Sequence, residues 1–190
     1  MVLELKVLLK DVRPQVWRKI RVPSTYTLAS LHQVIQIAMG WENAHLHQFS
    51  IDGVLYTELT DEDPEELRDE RALRLEELAR PRKKFLYEYD FGDGWEHEIV
   101  VERVDRDAVD TAATCVDGRR ACPLEDSGGP IAYTRLQRIL ANPSHREHED
   151  MKDWAGDFDP AAFDLAKVNA RLLQSGTPRR PRKSRPRLSG

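Results

Sequence analysis

KFLYEYDFGDGWEHEIVVERV, residues 84–104, is the stretch whose reading decides the fold. Two arms rich in apolar residues, 84–90 and 95–104, flank Asp90-Phe91-Gly92-Asp93-Gly94. In the second arm Trp95, His97, Ile99 and Val101 recur with a period of two, which puts them on one face of a half-buried strand. The tip is then the turn of a hairpin, with Gly92 and Gly94 at positions of positive φ. Tyr87, Tyr89, Trp95 and Ile99 read as core, and Asp90 and Asp93 as aspartates that bond the turn backbone. An ordinary hairpin does not need so many acids at its tip. Asp90, Asp93 and His97 therefore remain as candidates for chemistry.

Outward from the hairpin, the same period recurs. Leu3, Leu5, Val7 and Leu9 oppose Glu4 and Lys6 over 2–9, and Val16, Arg18, Ile20 and Val22 oppose Trp17, Lys19 and Arg21 over 15–22. The short break between them predicts antiparallel pairing. Thr27 caps a helix to about Met39, with Leu28, Leu31, Ile35 and Ala38 at helical spacing and Gly40 as its stop. Residues 45–51 and 54–57 flank Asp52-Gly53, a hairpin signal. Eight acids within 58–70 read as a solvated insertion, Leu73 and Leu75 as a short strand leading to a helical turn, and 105–130 as loop. Pro130 opens a helix that Asn142-Pro143 stops, and Asp159-Pro160 starts the last one. Hairpins rather than strict strand–helix alternation predict an α+β fold: one domain over 1–175, a mainly antiparallel sheet covered by about three helices.

A chain of 190 residues supports one good core. No apolar run approaches the ~18 residues that cross a bilayer, and the N-terminus has no apolar signal core, so a soluble cytoplasmic protein is expected. Cys115 and Cys122 are expected as reduced thiols, with a local disulfide as the minority reading. The formal net charge of −4 is the difference between a +6 tail and a body of −10. The tail, 176–190, carries Arg179, Arg180, Arg182, Lys183, Arg185 and Arg187 among prolines without one acid, a composition expected to be disordered. Such an arm could contact DNA or RNA through phosphate alone, with steep salt dependence and no sequence preference.

Several segments, in order, resemble the plasmid-Ri ORF-3-like family: Pro14-Gln15-Val16-Trp17-Arg18, Leu31-His32-Gln33-Val34-Ile35-Gln36, Met39-Gly40-Trp41, His45-Leu46-His47-Gln48-Phe49, and 87–97 itself. The loop Cys122-Pro123-Leu124-Glu125-Asp126-Ser127-Gly128-Gly129-Pro130 and the end Phe158-Asp159-Pro160 with Val168-Asn169 are similar too, Leu124 replacing a usual second proline. The resemblance covers about residues 3–173. It implies an α+β domain found on plasmids and beside transposable elements, often labelled a resolvase-like passenger protein, with no reaction attached. No activated serine among arginines supports the resolvase label.

Three histidines align with apolar neighbours: His45 and His47 with Phe49 and Ile51 on one strand face, His97 on another. For each, a satisfied core imidazole is the bland reading. The sharper one is a divalent metal held by His45, His47 and His97, with Asp90, Asp93, Glu125 and Asp126 as further ligands or acid–base groups, since His-x-His on a strand projects both rings to one side. Glu125 and Asp126 precede a helix, where acids complement the dipole in any case. Trp17, Trp41, Tyr87 and Trp95 would wall a ligand site, though core packing is their default. His145 and His148 sit in a polar stretch that reads as exposed charge. The leading expectation is a non-enzymatic accessory or binding module of mobile elements, with an unidentified protein or nucleic-acid partner. The alternatives are a metal-dependent hydrolase or nuclease using the His/Asp/Glu pocket, and nucleic-acid binding by the tail.

Overall fold

In the computed structural model, which describes residues 1–60 and 63–175, the first alternating pair is Val2–Leu9 (β1) against Trp17–Pro23 (β2), antiparallel from Val2↔Pro23 to Leu8↔Trp17. Lys84–Tyr89 (β6) and Trp95–Asp105 (β7) form the central hairpin, and β7 pairs β1 on its other side. His47–Ile51 (β3) pairs β6 and turns through Asp52-Gly53 into Val54–Thr57 (β4). Positive φ at both Asp52 (52°) and Gly53 (84°) suits the tight two-residue turn.

Two strands lie where none is predicted, one in the segment read as loop and one in the segment read as a solvated insertion. Thr114–Arg119 (β8) extends the sheet beyond β2. Arg68–Asp69 (β5) pairs β4 in parallel within the acidic stretch. Neither shows enough alternation to be recognised alone; each exists because a neighbouring strand offers a free ladder edge. The sheet has eight strands in the order β5-β4-β3-β6-β7-β1-β2-β8. It is mostly antiparallel, as expected. Leu75–Leu78 is a short 3₁₀ helix rather than the end of a strand.

Every alternation predicted from the sequence places its apolar set inward. Leu3, Leu5, Leu9, Ile20, Val22, Phe49, Tyr87, Tyr89, Trp95, Ile99 and Val101 form one buried face, at about 1.5–3 kcal/mol per large side chain removed from water. The opposite face stays wet and carries Lys19–Glu102 (2.8 Å) and Lys84–Glu98 (3.1 Å), with Lys6 over the Trp17 ring. Exposed pairs of this kind stabilise weakly, ~0–1 kcal/mol each. Their role is to keep that face soluble.

Helices cover the apolar face. Leu28–Met39 (α1) has the Thr27 cap, whose hydroxyl accepts from Ser30 N–H, and the left-handed Gly40 stop. Gly129–Leu140 (α2) and Leu165–Ser175 (α4) add Tyr133, Leu136 and Leu172 to the same cluster. His148–Ala155 (α3), a fourth helix, packs on α2. It corrects the reading of exposed charge at His148 alone, which is buried and bonds the Ile139 carbonyl through Nδ1 at 3.0 Å, while Glu149 and Asp150 are exposed. The last helix starts later than Asp159-Pro160 suggests, because Asp164 caps it by accepting from Lys167 N–H (2.9 Å). That frees Phe163 to stack under the Arg18 guanidinium, 4.3 Å away. Arg18 is itself buried and donates to three carbonyls, of Ala38, Trp17 and Arg119. Among the described residues no helix is long and apolar enough to cross a membrane, and Cys115 and Cys122 are free and buried. The six basic side chains from Arg179 to Arg187 lie outside the described residues.

Candidate cation site

The tip of the β6–β7 hairpin is built around Asp90. Its φ of 57° turns the chain, Gly94 N–H donates to its carbonyl (2.7 Å), and its own N–H donates to Leu46 O (2.9 Å). Oδ1 accepts from the Gly92 and Asp93 amides at 3.0 and 3.3 Å. Turn chemistry therefore occupies one carboxylate oxygen and leaves Oδ2 to face His45 Nε2 at 3.6 Å. The positive φ falls on Asp90 and Gly94 and not on Gly92.

The loop before α2 brings the remaining acids. Asp93 Oδ2 accepts from Gly128 N–H (2.9 Å), tying the loop to the hairpin tip. Glu125 Oε1 accepts from Glu42 N–H and the Tyr89 hydroxyl, both at 2.9 Å, and Tyr89 in turn accepts from Ala44 N–H. Burial pushes the Tyr89 hydroxyl pKa up, so it stays a donor to that carboxylate. Glu125 Oε2 is buried with no hydrogen-bond partner and lies 3.8 Å from His45 Nε2. Asp126, with φ 55° and its side chain 78% exposed, brings Oδ1 to 3.2 Å from the same nitrogen. Ligand atoms of His45, Asp90 and Asp126 all lie within 4.8 Å of one another. Glu125 and Asp126 do not cap α2; Gly128 holds that position.

His45 joins this cluster because it precedes β3, which begins only at His47. His47 goes elsewhere. Its ring stacks on His32 (centroids 3.4 Å apart, 5° between planes) and Nε2 bonds Glu70 at 2.7 Å. Glu70, counted among solvated acids, is 3% exposed. His32 is locked by a directed chain. Gln36 donates to the Tyr87 hydroxyl (3.0 Å), Tyr87 gives its single proton to His32 Nδ1 (2.8 Å), and His32 Nε2–H donates to Asn43 Oδ1 (2.7 Å). Burial, with His47 alongside, lowers the His32 pKa to about 3. His97 is fully buried. Its Nδ1 donates to the Tyr87 carbonyl at 3.3 Å, Trp41 packs against it edge-on, and burial lowers its pKa to about 4. The three histidines therefore do not share one site.

The proposed walls are interior too. Tyr87 and Trp95 are completely buried, and Trp41 donates to the Pro123 carbonyl (3.0 Å), which holds the Glu125 loop against the core. Trp17 lies on the wet face of the sheet. Sequence reasoning missed His32, Gln36, Asn43 and Glu70. His32 and Gln36, one helical turn apart beside an apolar stripe, carried a usable signal; Asn43 and Glu70 carried none. A groove of about 1420 Å³, whose lining includes His32, His47, Glu70 and Arg71, runs along that second cluster and touches the first at His45.

Replacing Glu70 by alanine is expected to cost about 2–3 kcal/mol, because His47 Nε2 is left buried without a partner. Glu70→Gln, which keeps an acceptor oxygen, should cost less. Equilibrium urea unfolding of the two variants measures this; an unchanged midpoint in the alanine variant would refute the role given to Glu70.

The chain is similar to proteins already known. The family model described as plasmid pRiA4b ORF-3-like protein matches residues 1–167. The chain is 38% identical over 172 residues to the uncharacterized protein y4hQ of Sinorhizobium fredii, covering 88% of this chain and 89% of that one. A crystal structure of a protein of unknown function from Methanosarcina mazei Go1 is similar with a TM-score of 0.74 and 35% identity, over 86% of this chain and 95% of the other.

Proposed function

From the premise that the chain belongs to the plasmid pRiA4b ORF-3-like family, we propose that it is a divalent-cation-binding module whose ligands are His45, Asp90 and Asp126, with Glu125 beside them. The observation that carries the reading is the convergence of three carboxylates, from the hairpin tip and the loop before α2, on one imidazole nitrogen at 3.2 to 3.8 Å. The ligand oxygens of Asp90 and Asp126 lie within 4.8 Å of each other, and like charges that close disfavour one another unless a cation sits among them. Glu125 Oε2, buried and unpartnered, is the atom such a cation would satisfy. One nitrogen with several carboxylate oxygens suits Mn²⁺, Fe²⁺, Co²⁺ or Zn²⁺ better than the all-oxygen preference of Ca²⁺ or Mg²⁺. Exposed Asp126 leaves the cation an outward side on which a partner or ligand could complete its shell. That outward side, with the plasmid in the family's description, supports an accessory role on mobile elements over an enclosed structural metal.

Titration calorimetry of the metal-free protein with Mn²⁺ and Zn²⁺ tests the reading. One site per chain is expected, weakened ~10–100-fold by His45→Ala and by Asp126→Asn. Absence of binding, or equal binding by both variants, would refute it.

A further inference from the structure

One hydroxyl ties together the segments that meet at the cation cluster. Tyr89 is the last residue of β6 and precedes Asp90. It has no solvent exposure. Its hydroxyl accepts from the N–H of Ala44, the residue before His45, at 3.0 Å. A hydroxyl has a single proton to give, and that proton goes to Glu125 Oε1 at 2.9 Å, in the loop before α2. The Tyr89 ring meets the Trp41 ring with centroids 4.7 Å apart and stands edge-on to the His45 ring at 5.8 Å. The hydroxyl is thus held in place by the sheet, and it reaches both the histidine segment and the acidic loop.

The consequence falls on Glu125. Oε1 takes two donors, the Tyr89 hydroxyl and Glu42 N–H, both at 2.9 Å. Oε2 is left buried without a partner, 3.8 Å from His45 Nε2. Asp90 is divided in the same way, with Oδ1 on two turn amides and Oδ2 facing His45. A carboxylate with one oxygen engaged in this manner offers a cation the other oxygen alone. To bind through both, Glu125 would have to abandon two donors and leave the buried Tyr89 hydroxyl without its acceptor. Ca²⁺ takes ~6–8 oxygens and draws on bidentate carboxylates to reach that number. Zn²⁺ is satisfied by about four nitrogen and oxygen atoms, and one atom each from His45, Asp90, Glu125 and Asp126 supplies them. We propose that Tyr89 is the positioning residue that sets the metal preference: its hydroxyl confines Glu125 to ligation through Oε2 and so favours Zn²⁺ over Ca²⁺. The inference rests on the cation reading above and adds to it the group that chooses the metal.

Calorimetric titration of the full-length, metal-free protein with Zn²⁺, and displacement of the Zn²⁺ by Ca²⁺, test it in the wild type and in Tyr89→Phe. Phenylalanine keeps the ring against Trp41 and His45 and removes only the hydroxyl. Zn²⁺ affinity is expected to fall ~10–100-fold, and the preference for Zn²⁺ over Ca²⁺ to fall at least ~10-fold, since the released Glu125 can offer Ca²⁺ both oxygens. A substitution that merely loosens the His45 segment weakens both cations alike. An unchanged preference therefore overturns the proposal. Glu125→Gln gives a separate test: its amide keeps an oxygen for Tyr89 and Glu42 but presents N–H in place of Oε2, so Zn²⁺ affinity should fall by a similar factor. Wild-type affinity in that variant removes Glu125 from the ligands and overturns the proposal as well. A wild-type protein that binds neither cation refutes the cation reading itself, and this inference with it.

Discussion

Lowering the pH from 7 to 5 is expected to destabilise the protein by about 4 kcal/mol, a large part of the ~5–15 kcal/mol that holds a domain together. His32 and His97 supply the effect. Each is buried neutral, with a pKa lowered from 6.5 to about 3 and about 4 respectively. In the unfolded chain both regain the ordinary value and take up a proton as the pH drops below 6.5. The unfolded state then binds more protons than the native one, so stability falls with falling pH, by about 2 kcal/mol per histidine at pH 5. The loss continues until the native pKa values are reached.

Geometry explains why neither ring accepts a proton in place. His32 Nδ1 already receives the Tyr87 proton, and that hydroxyl is held in direction by Gln36. His97 Nε2 faces an interior with no acceptor. Guanidinium unfolding at pH 7, 6 and 5 measures the slope, and His97→Phe should roughly halve it. A midpoint that does not move between pH 7 and 5 would show that the two rings are not held neutral.

Gly129→Ala should be the most damaging added methyl group among the glycines of the described residues. A Cβ there would stand 2.4 Å from the Asp93 carbonyl oxygen, and the residue has φ +77°. Backbone on both sides leaves nothing flexible to give way, so α2 must lift from the hairpin tip. Left-handed strain alone costs ~1–2 kcal/mol, and the displaced contact brings the expected loss to about 3–4 kcal/mol. Gly40→Ala is the control. Its φ of +104° carries the strain, but its Cβ would meet nothing within 4 Å, so only the smaller part of the loss should appear. Because the Asp93–Gly128 bond positions Glu125 and Asp126, Gly129→Ala should also weaken Mn²⁺ binding at least tenfold, whereas Gly40→Ala should leave it unchanged. Equal destabilisation by the two substitutions would refute the clash.

The two experiments probe different layers of one construction. The buried histidines belong to the interior that α1 and the sheet share. Gly129 sits where α2 presses on the hairpin, and there the candidate site is assembled. The family relationship extends across both layers, since the matched residues run from 1 to 167.

By itself the sequence determined the sheet without its two edge strands β5 and β8, and the inner face of its centre. Strand periodicity is local: side chains alternate whatever the neighbours are, so the inward sets of β1, β2, β6 and β7 could be read directly, with the caps of α1 and the Asp52-Gly53 turn. It also put Asp90, Glu125 and Asp126 among the candidates, although turn bonding and the dipole of the following helix account for acids at those places. Tertiary structure alone decided which histidine joins them. His45 and His47 look equivalent under alternation, yet β3 starts between them, so one ring turns to the acids and the other to Glu70. Glu70 comes from the acidic stretch after β4, twenty-three residues downstream of His47. Strand β8 and helix α3 were equally illegible, since an edge ladder and a short polar helix draw their stability from partners distant in the chain. Local patterning fixes what a residue can do next to its neighbours; the meeting of distant residues is settled by packing.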